Sequence, residues 1–270
     1  MATTRRLPVV ATLPRSLYLE TTNRCDSKCQ TCIRTFWSLE PPADLTLEQV
    51  KAITEQFSVL ERVVLHGIGE PLLNREIFEI VAYLKTRAAT VLFNSDAISL
   101  TATRANLDEL LAFVRLAADL GVDEVYVQRL VFNGLGLATA ENALHGRLQR
   151  QEQEVLDQAQ ELARGLGVAL RASGLTTPLA SLKGEMSSPR PWAGCQRPWT
   201  LSYVTANGNV LPCCISPWVA RDYQALILGN ALAEPFADIW NGERYRRFRI
   251  DFESESPPDP CRGCGLLWSI

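Results

Sequence analysis

Three of the chain's eight cysteines stand within eight residues, at Cys25, Cys29 and Cys32. They follow an apolar, strand-like run over residues 17–20, so a β-strand leads into a loop that carries three thiols. Three thiolates this close can hold three corners of one soft metal centre. In a chain of this size, clustered cysteines indicate metal or redox chemistry rather than disulfides.

The spacing of these cysteines favours an iron–sulfur cluster over zinc. A cubane cluster on three thiolates would leave one iron open to a small molecule. Zinc sites usually combine C-x2-C pairs with two further ligands, and only Cys29 and Cys32 have that spacing. His66 and His145 are the only histidines available to complete such a site. A zinc site, or three unrelated buried thiols, remains the alternative.

The C-x3-C-x2-C triplet after a first strand resembles the signature of the radical SAM superfamily. The resemblance implies a [4Fe–4S] cluster on Cys25, Cys29 and Cys32, with S-adenosylmethionine (SAM) chelating the fourth iron. It also implies that one electron from the reduced cluster cleaves SAM to methionine and a 5′-deoxyadenosyl radical. Many members carry an aromatic residue just before the third cysteine, where this chain has Thr31.

Strand-like and helical patterns alternate after the cysteines, which argues for a parallel sheet or barrel. Strands are predicted over residues 62–66 and 90–93, each after an amphipathic helix. Functional residues of such folds gather at the carboxyl ends of strands. The cysteine loop, residues 67–71 and residues 94–96 all follow strands in this way.

Three positions are expected to begin helices. Thr46 with Gln49 forms the pattern of a capping box. Asn74 and Asn106 precede the next two amphipathic segments and are predicted to cap them.

The alternation breaks after the third strand. Only residues 94–96 separate that strand from another strand-like run over residues 97–103, whereas a parallel crossover needs about a dozen residues. The two runs are therefore expected to form a hairpin, a loop, or one strand with an irregular middle. A strand over residues 124–131, a polar helix over 141–165 and a strand over 168–172 are predicted to follow.

The expected fold is α/β, a partial (βα) barrel of radical SAM type over residues 1–188 with a small domain over 189–270. Relatives have six βα units, so the resemblance implies that about two units are lacking. Parallel strands without neighbours expose backbone groups and apolar faces. We therefore expect an open or aggregation-prone barrel, or one completed by pairing of two chains; a well-behaved monomer with full SAM turnover would contradict this.

The sequence Gly67-Ile68-Gly69-Glu70-Pro71 resembles the GGEP motif of the superfamily, with Ile68 replacing its second glycine. The resemblance implies that Gly67, Gly69, Glu70 and Pro71 bind SAM. Glycines would let the backbone approach the methionine amino group, and Glu70 would place a carboxylate near it. A tight turn between strand and helix is the alternative.

Other cofactor contacts are implied at Asn94, Ser95 and Gln128. Asn94 and Ser95 occupy the place where relatives offer polar groups to SAM, although an ordinary Asx-type turn is the alternative. Gln128 lies on a predicted strand where members contact the adenine. His66 is expected to be a strand histidine bonded to backbone, with a catalytic role as the alternative. No catalytic acid or base stands out.

The C-terminal cysteines resemble the SPASM/twitch module of radical SAM enzymes. Asn207-Gly208 between apolar runs predicts a β-hairpin, which would return the chain so that Cys213 lies beside Cys195. The resemblance implies one auxiliary [4Fe–4S] cluster, with Cys214 spare, on the ligands Cys195, Cys213, Cys261 and Cys264. A zinc knuckle is the alternative.

The motifs together predict a radical SAM oxidoreductase that acts on a peptide or a small metabolite. An electron donor such as flavodoxin or ferredoxin would reduce its clusters. The alternatives are an internally truncated relative that binds clusters without turnover, and a structural zinc protein.

Charge and hydropathy give no sign of nucleic-acid or membrane partners. The net charge is −3, and no apolar run approaches the ~20 residues that span a bilayer. The basic N-terminus is not followed by an apolar stretch of signal-peptide length, so a cytoplasmic protein is expected.

Overall fold

The computed structural model describes residues 6–93, 100–130, 134–172, 176–183, 192–219 and 222–262. The chain divides into two compact units, Met1–Ser95 with Ala193–Gly263, and Asp96–Trp192 with Cys264–Ile270. The first unit therefore contains the N-terminal cysteines and also Cys195, Cys213 and Cys261. The domain boundary expected after residue 188 stays a prediction.

Strands and helices alternate along much of the described chain. The strands are β1 (Ser16–Leu19), β2 (Leu60–Leu65), β3 (Ala88–Phe93), β4 (Leu100–Ala102), β5 (Glu124–Arg129), β6 (Ala169–Ala172), β7 (Leu201–Val204), β8 (Asn209–Leu211) and β9 (Gly229–Asn230). The helices are α1 (Leu47–Thr54), α2 (Ile77–Arg87), α3 (Leu110–Asp119), α4 (Arg150–Leu166), α5 (Pro178–Leu182), α6 (Arg197–Thr200), α7 (Ser216–Val219), α8 (Phe236–Trp240), α9 (Glu243–Phe252) and α10 (Asp259–Arg262). Short 3-10 turns cover Ile33–Thr35, Pro71–Leu73, Leu107–Glu109 and Gln224–Leu226.

The sheet of the first unit has six strands in the order β3-β2-β1-β7-β8-β9. β1 pairs in parallel with β2 on one side and with β7 on the other. The hairpin β7–β8 and then β9 extend this sheet in antiparallel pairing. Leu17 and Leu19 of β1 are fully buried, as expected of a central strand between two parallel neighbours.

Helices α1 and α2 connect the three N-terminal strands. The capping box at α1 is confirmed, because Gln49 N–H donates to Thr46 Oγ1 while Thr46 N–H donates to Gln49 Oε1. The expected cap at Asn74 is wrong, since α2 begins at Ile77 after Glu76. Buried Asn74 instead donates to the carbonyls of Thr21 and Leu45, which ties this connection to the end of β1.

The second unit holds the parallel sheet β4-β5-β6, with α3 and α4 as its crossovers. The predicted polar helix begins at Arg150 rather than near residue 141, because the capping box of Gln149 and Glu152 sets its start. Asn106 does not cap a helix with its side chain; it accepts from Thr103 N–H and closes the turn after β4. No helix in the described part of the chain has the length and apolar composition needed to cross a membrane.

The break after β3 separates two sheets. β3 belongs to the six-stranded sheet and β4 to the three-stranded one, so the hairpin and single-strand interpretations are wrong. Residues 94–99 lie outside the described residues. The described parallel strands form two sheets of mixed α/β type and no closed barrel, which confirms the expected incomplete barrel.

The N-terminal segment runs along the C-terminal helices of the same unit. Its backbone carbonyls accept hydrogen bonds from four side chains, in the pairs Trp199 to Leu7, Arg249 to Pro8, Asn241 to Val10 and Trp240 to Thr12. These contacts hold the chain ahead of β1 although it forms no regular element.

Arg249 is the centre of this attachment. It is fully buried and donates to the carbonyls of Pro8, Trp240 and Pro198 at 2.8–2.9 Å. Its guanidinium also stacks on Trp240 and Tyr245, 4.2 and 4.3 Å from the ring centroids. Burial lowers the pKa of Arg249 to about 10, which leaves the side chain charged at neutral pH.

We expect Arg249→Met to lower the free energy of unfolding by about 3 kcal/mol or more, because it leaves three carbonyls, two of them in buried hydrogen bonds, without their donor. Methionine keeps an unbranched apolar side chain in the space, so lost hydrogen bonding is the main change. Urea unfolding measures the effect.

Arg247→Met on the same helix is the matched control. Arg247 forms an exposed ion pair with Asp251, so its loss is expected to cost less than about 0.5 kcal/mol. Equal losses in the two variants would contradict the role given to Arg249.

Candidate cluster and cofactor site

The cysteine loop starts at the carboxyl end of β1 and ends in the 3-10 turn Ile33–Thr35. Cys25 and Cys32 are half-buried and Cys29 is exposed. Within the loop, Cys32 N–H and the Thr35 hydroxyl both donate to the Cys29 carbonyl, at 3.0 and 2.8 Å. The loop is therefore folded on itself, and Cys29 is the most exposed of its three cysteines.

Asn23 and Arg24, the two residues ahead of Cys25, join the cysteine loop to the segment that follows it. Asn23 donates to the Pro41 carbonyl at 2.7 Å and accepts from Ala43 N–H at 2.8 Å. Arg24 pairs with Asp44 on the same returning segment. These bonds close the loop at its base, and we call the two bonded segments, residues 23–24 and 41–44, the stem. The positions of the cysteines therefore depend on both segments of the stem.

The turn over residues 67–71 packs directly against the start of the cysteine loop. Glu70 N–H donates to the Arg24 carbonyl at 2.8 Å. A Cβ at Gly69 would lie 2.0 Å from the Thr22 carbonyl oxygen, which is shorter than any allowed contact. Glycine is therefore required at position 69, and the structure brings together the two motifs that the sequence singled out.

Glu70 is buried and accepts a hydrogen bond from Leu72 N–H at 3.0 Å. It thereby caps the 3-10 turn Pro71–Leu73, with Pro71 at the first position of that turn. The predicted contact of Glu70 with SAM stays a prediction.

Glu20 is a second buried carboxylate at this site, and the sequence analysis missed its role. Its Oε1 accepts from Ile68 N–H at 2.7 Å and from the Tyr203 hydroxyl at 3.0 Å, while Oε2 accepts from Ala206 N–H at 3.1 Å. Burial raises the pKa of Glu20 to about 7, against the opposing effect of these hydrogen bonds. The sequence did contain a signal for this role, because Glu20 is a carboxylate at the end of an otherwise apolar strand.

Glu40 joins the exit of the cysteine loop to the C-terminal segment. It accepts from the side chains of Asn207, Asn209 and Tyr223 at 2.7–2.9 Å. Glu20 and Glu40 border the same narrow cleft, which Tyr203 and Tyr223 also line. The C-terminal hairpin region is thus bonded to carboxylates on both sides of the cysteine loop.

The predicted hairpin is present, with Gly208 at a φ of 81° in the turn between β7 and β8. Cys195 is buried, and Arg197 N–H approaches its sulfur at 3.4 Å. Burial, with a further contribution from nearby Cys213, raises the pKa of the Cys195 thiol to about 12. Cys261 is buried on α10, which packs against α7 just after Cys213.

Arg197 and Cys214 were not assigned roles by the sequence, yet both lie in this thiol-rich region. Burial raises the pKa of Cys214 to about 11, although Arg197 opposes that effect. Burial lowers the pKa of Arg197, but Cys214, Cys213 and Cys195 more than offset this and raise it. Arg197 therefore stays a cation among the thiols.

Five further residues that the sequence singled out remain to be located. Cys264, Asn94 and Ser95 lie outside the described residues. Gln128 lies on β5 of the second unit, opposite Thr101, and its predicted contact with adenine stays a prediction. His66 N–H donates to the Leu19 carbonyl, and burial lowers the pKa of His66 to about 4, so its ring is neutral.

Within the described residues, no three cysteine, histidine, aspartate or glutamate side chains lie close enough to hold one metal ion. A tetrahedral zinc site needs its donors around a single ion. A cubane instead places each thiolate on a separate iron, so its ligand sulfurs stand farther apart. Three thiols in one loop are the soft donor set that an iron–sulfur cluster takes, so the residues present fit such a group.

Comparisons with known proteins agree with this geometry. A tungsten-containing aldehyde ferredoxin oxidoreductase cofactor-modifying protein of Pyrococcus furiosus is 31% identical over 131 residues, 47% of this chain and 33% of that protein. A SAM-dependent 2-deoxy-scyllo-inosamine dehydrogenase of Niallia circulans is 24% identical, over 91% of this chain and 90% of the dehydrogenase. A PqqA peptide cyclase of Streptomyces rochei is also 24% identical, over 93% of this chain and 81% of the cyclase.

The match to the crystal structure of BtrN in complex with AdoMet and 2-DOIA covers 93% of this chain and 92% of the BtrN chain. The TM-score is 0.51 at 20% sequence identity, so the two chains share a fold. The radical SAM superfamily model matches residues 19–128, and the SPASM iron–sulfur cluster-binding domain matches residues 195–265. Radical SAM domains bind a [4Fe–4S] cluster and SAM, and SPASM domains bind auxiliary iron–sulfur clusters. The chain therefore carries a radical SAM domain followed by a SPASM domain.

Proposed function

We propose that this chain is an oxidoreductase that reductively cleaves SAM and uses the product to abstract hydrogen from a substrate. One observation carries the proposal: the cysteine loop and the turn over residues 67–71 are in backbone contact, through Gly69 and through Glu70 N–H on the Arg24 carbonyl. A cluster on the loop would therefore lie beside the backbone assigned to SAM.

Cys25, Cys29 and Cys32 are the ligands that we assign to three irons of the first cluster. A reduced [4Fe–4S] cluster supplies the electron that cleaves the sulfonium of SAM. The stem bonds of Asn23 and Arg24 fix the base of the loop and so orient its thiols. This orientation is the contribution that the protein makes to such chemistry.

SAM would be bound by the turn after β2, with further contacts from the predicted residues. Gly67 and Gly69 are the residues whose backbone we assign to the amino group, and Glu70 places a buried carboxylate in the same turn. Asn94, Ser95 and Gln128 are the residues that we propose for the remaining contacts. The electron donor would be a flavodoxin or a ferredoxin.

One auxiliary cluster is proposed on four C-terminal cysteines. Support comes from the proximity of Cys195 and Cys213 and from the packing of α10, which carries Cys261, against α7. Cys264 is the proposed fourth ligand, two residues beyond α10. Arg197 would offset part of the negative charge of the thiolates.

The substrate is proposed to be a small metabolite or a peptide. The relative from Niallia circulans is named as a dehydrogenase of 2-deoxy-scyllo-inosamine, and the relative from Streptomyces rochei as a peptide cyclase. Anaerobic reconstitution with SAM and dithionite, with 5′-deoxyadenosine as the readout, tests cleavage without knowledge of the substrate. A chain that holds clusters but releases no 5′-deoxyadenosine would instead be a non-catalytic relative.

Removing one ligand of each set separates the two clusters. The reconstituted chain is expected to hold about eight irons and eight sulfides, one cubane in each set. Cys29→Ala should lose about four irons and all 5′-deoxyadenosine production. Cys213→Ala should lose about four irons while its remaining cluster still binds SAM. Iron and sulfide analysis with product detection measures both effects.

Cys214→Ala is the control, since Cys214 adjoins Cys213 but is not an assigned ligand. It should retain the full iron content. Zinc without sulfide in the parent chain would contradict the proposal, as would unchanged iron in the Cys29→Ala variant.

Gly69→Ala is expected to weaken SAM binding at least tenfold, because the new Cβ would collide with the backbone of Thr22 and Arg24. Titration calorimetry on the reconstituted chain measures the affinity. Gly165→Ala is the control: no atom lies within 4 Å of a Cβ at this exposed position of α4. It should leave SAM affinity unchanged and add about 0.5–1 kcal/mol of stability, since alanine is the better helix former.

A further inference from the structure

We propose that Glu20 is a positioning residue that couples the SAM-binding turn to the hairpin of the SPASM segment, an inference that rests on the proposed function. One carboxylate bonds Ile68 N–H in the turn and also Tyr203 and Ala206 in the hairpin. The turn after β2 is therefore placed by a part of the chain more than 130 residues away in sequence.

Glu20 touches the turn without any intervening side chain. A Cβ at Gly67 would lie 2.3 Å from Glu20 Cγ and 2.4 Å from its Oε1, so only glycine admits this approach. The bond from Ile68 N–H fixes one end of the turn. The bond from Glu70 N–H to the Arg24 carbonyl fixes the other end, beside the cysteine loop.

The hairpin holds the carboxylate from its other side. Tyr203 lies on β7 and is fully buried, and Ala206 is in the turn that follows β7. Because β7 pairs with β1, the strand that leads into Glu20, the donors from the hairpin are held in register with it. A shift of the hairpin would therefore move Glu20 and, through Ile68, the backbone assigned to SAM.

Glutamine cannot reproduce this arrangement although it matches glutamate in size. Both oxygens of Glu20 accept hydrogen bonds, and all three donors are N–H or O–H groups. In either orientation the glutamine amide would set an NH₂ group against a donor. A buried donor without an acceptor destabilises the fold more than the loss of an exposed hydrogen bond does. The turn or the hairpin must therefore shift to give that donor another partner.

The test uses the full chain, reconstituted anaerobically, in parent and Glu20→Gln forms. Titration calorimetry gives SAM affinity, and electron paramagnetic resonance of the reduced cluster reports the spectral change on SAM addition. We expect affinity at least tenfold weaker and a diminished spectral change, with iron and sulfide content unchanged. The KM for SAM should rise more than kcat falls, because the turn binds SAM before it reacts.

Two further variants keep the test decisive. Glu61→Gln on β2 removes an exposed ion pair with Arg15 and should leave SAM affinity within about twofold of the parent. Tyr203→Phe deletes one of the three donors, so it should weaken SAM binding by about three- to tenfold. If Glu20→Gln loses iron or fails to fold, the Tyr203→Phe result decides.

The outcomes separate this inference from the function on which it rests. A parent chain that holds clusters but binds no SAM would overturn the proposed function and this inference with it. A parent chain that binds SAM, with equal affinity in Glu20→Gln and Tyr203→Phe, would overturn the inference alone.

Discussion

The parallel pairing of β1 with both β2 and β7 is the constraint on which the site depends. β1 ends at the cysteine loop, β2 ends at the turn over residues 67–71, and β7 ends at the C-terminal hairpin turn. Parallel strands present their carboxyl ends at one edge of a sheet, so these three segments must meet there. The SPASM segment therefore contributes a strand to the sheet that carries the radical SAM motif.

Polar groups within this unit are stabilised by many donors or acceptors rather than by single ion pairs. Glu20 and Glu40 each accept three hydrogen bonds, mostly from the hairpin region, and Arg249 donates three to backbone carbonyls. Buried Glu20 needs these partners, because a buried charge without hydrogen bonds destabilises the fold. Each group thus fixes several segments at once.

The sequence predicted the local features well where the determining residues are neighbours. The capping box of Thr46 and Gln49 and the turn at Asn207-Gly208 each depend on residues within four positions. The meeting of the cysteine loop and the turn over residues 67–71 also followed, because it needs only the rule for parallel strands. What could not be predicted was the placement of β7 beside β1, since no local pattern encodes pairing across some 180 residues. The partners of Glu20, and of Asn74 in its link to β1, depend on such long-range contacts.

The ionisation of Glu20 affects the stability of the fold. Burial raises the pKa of its carboxyl from the ordinary 4.5 to about 7. Because the folded value lies above the unfolded one, the protonated carboxyl adds stability that is complete below about pH 4.5 and is lost as pH rises through about 7. The ionised carboxylate that suits three donors is therefore the form that folding favours least. A buried carboxylate that destabilises the fold when ionised is explained if Glu20 serves to position the turn rather than to stabilise the protein. Residues that lower stability in this way are expected at functional sites.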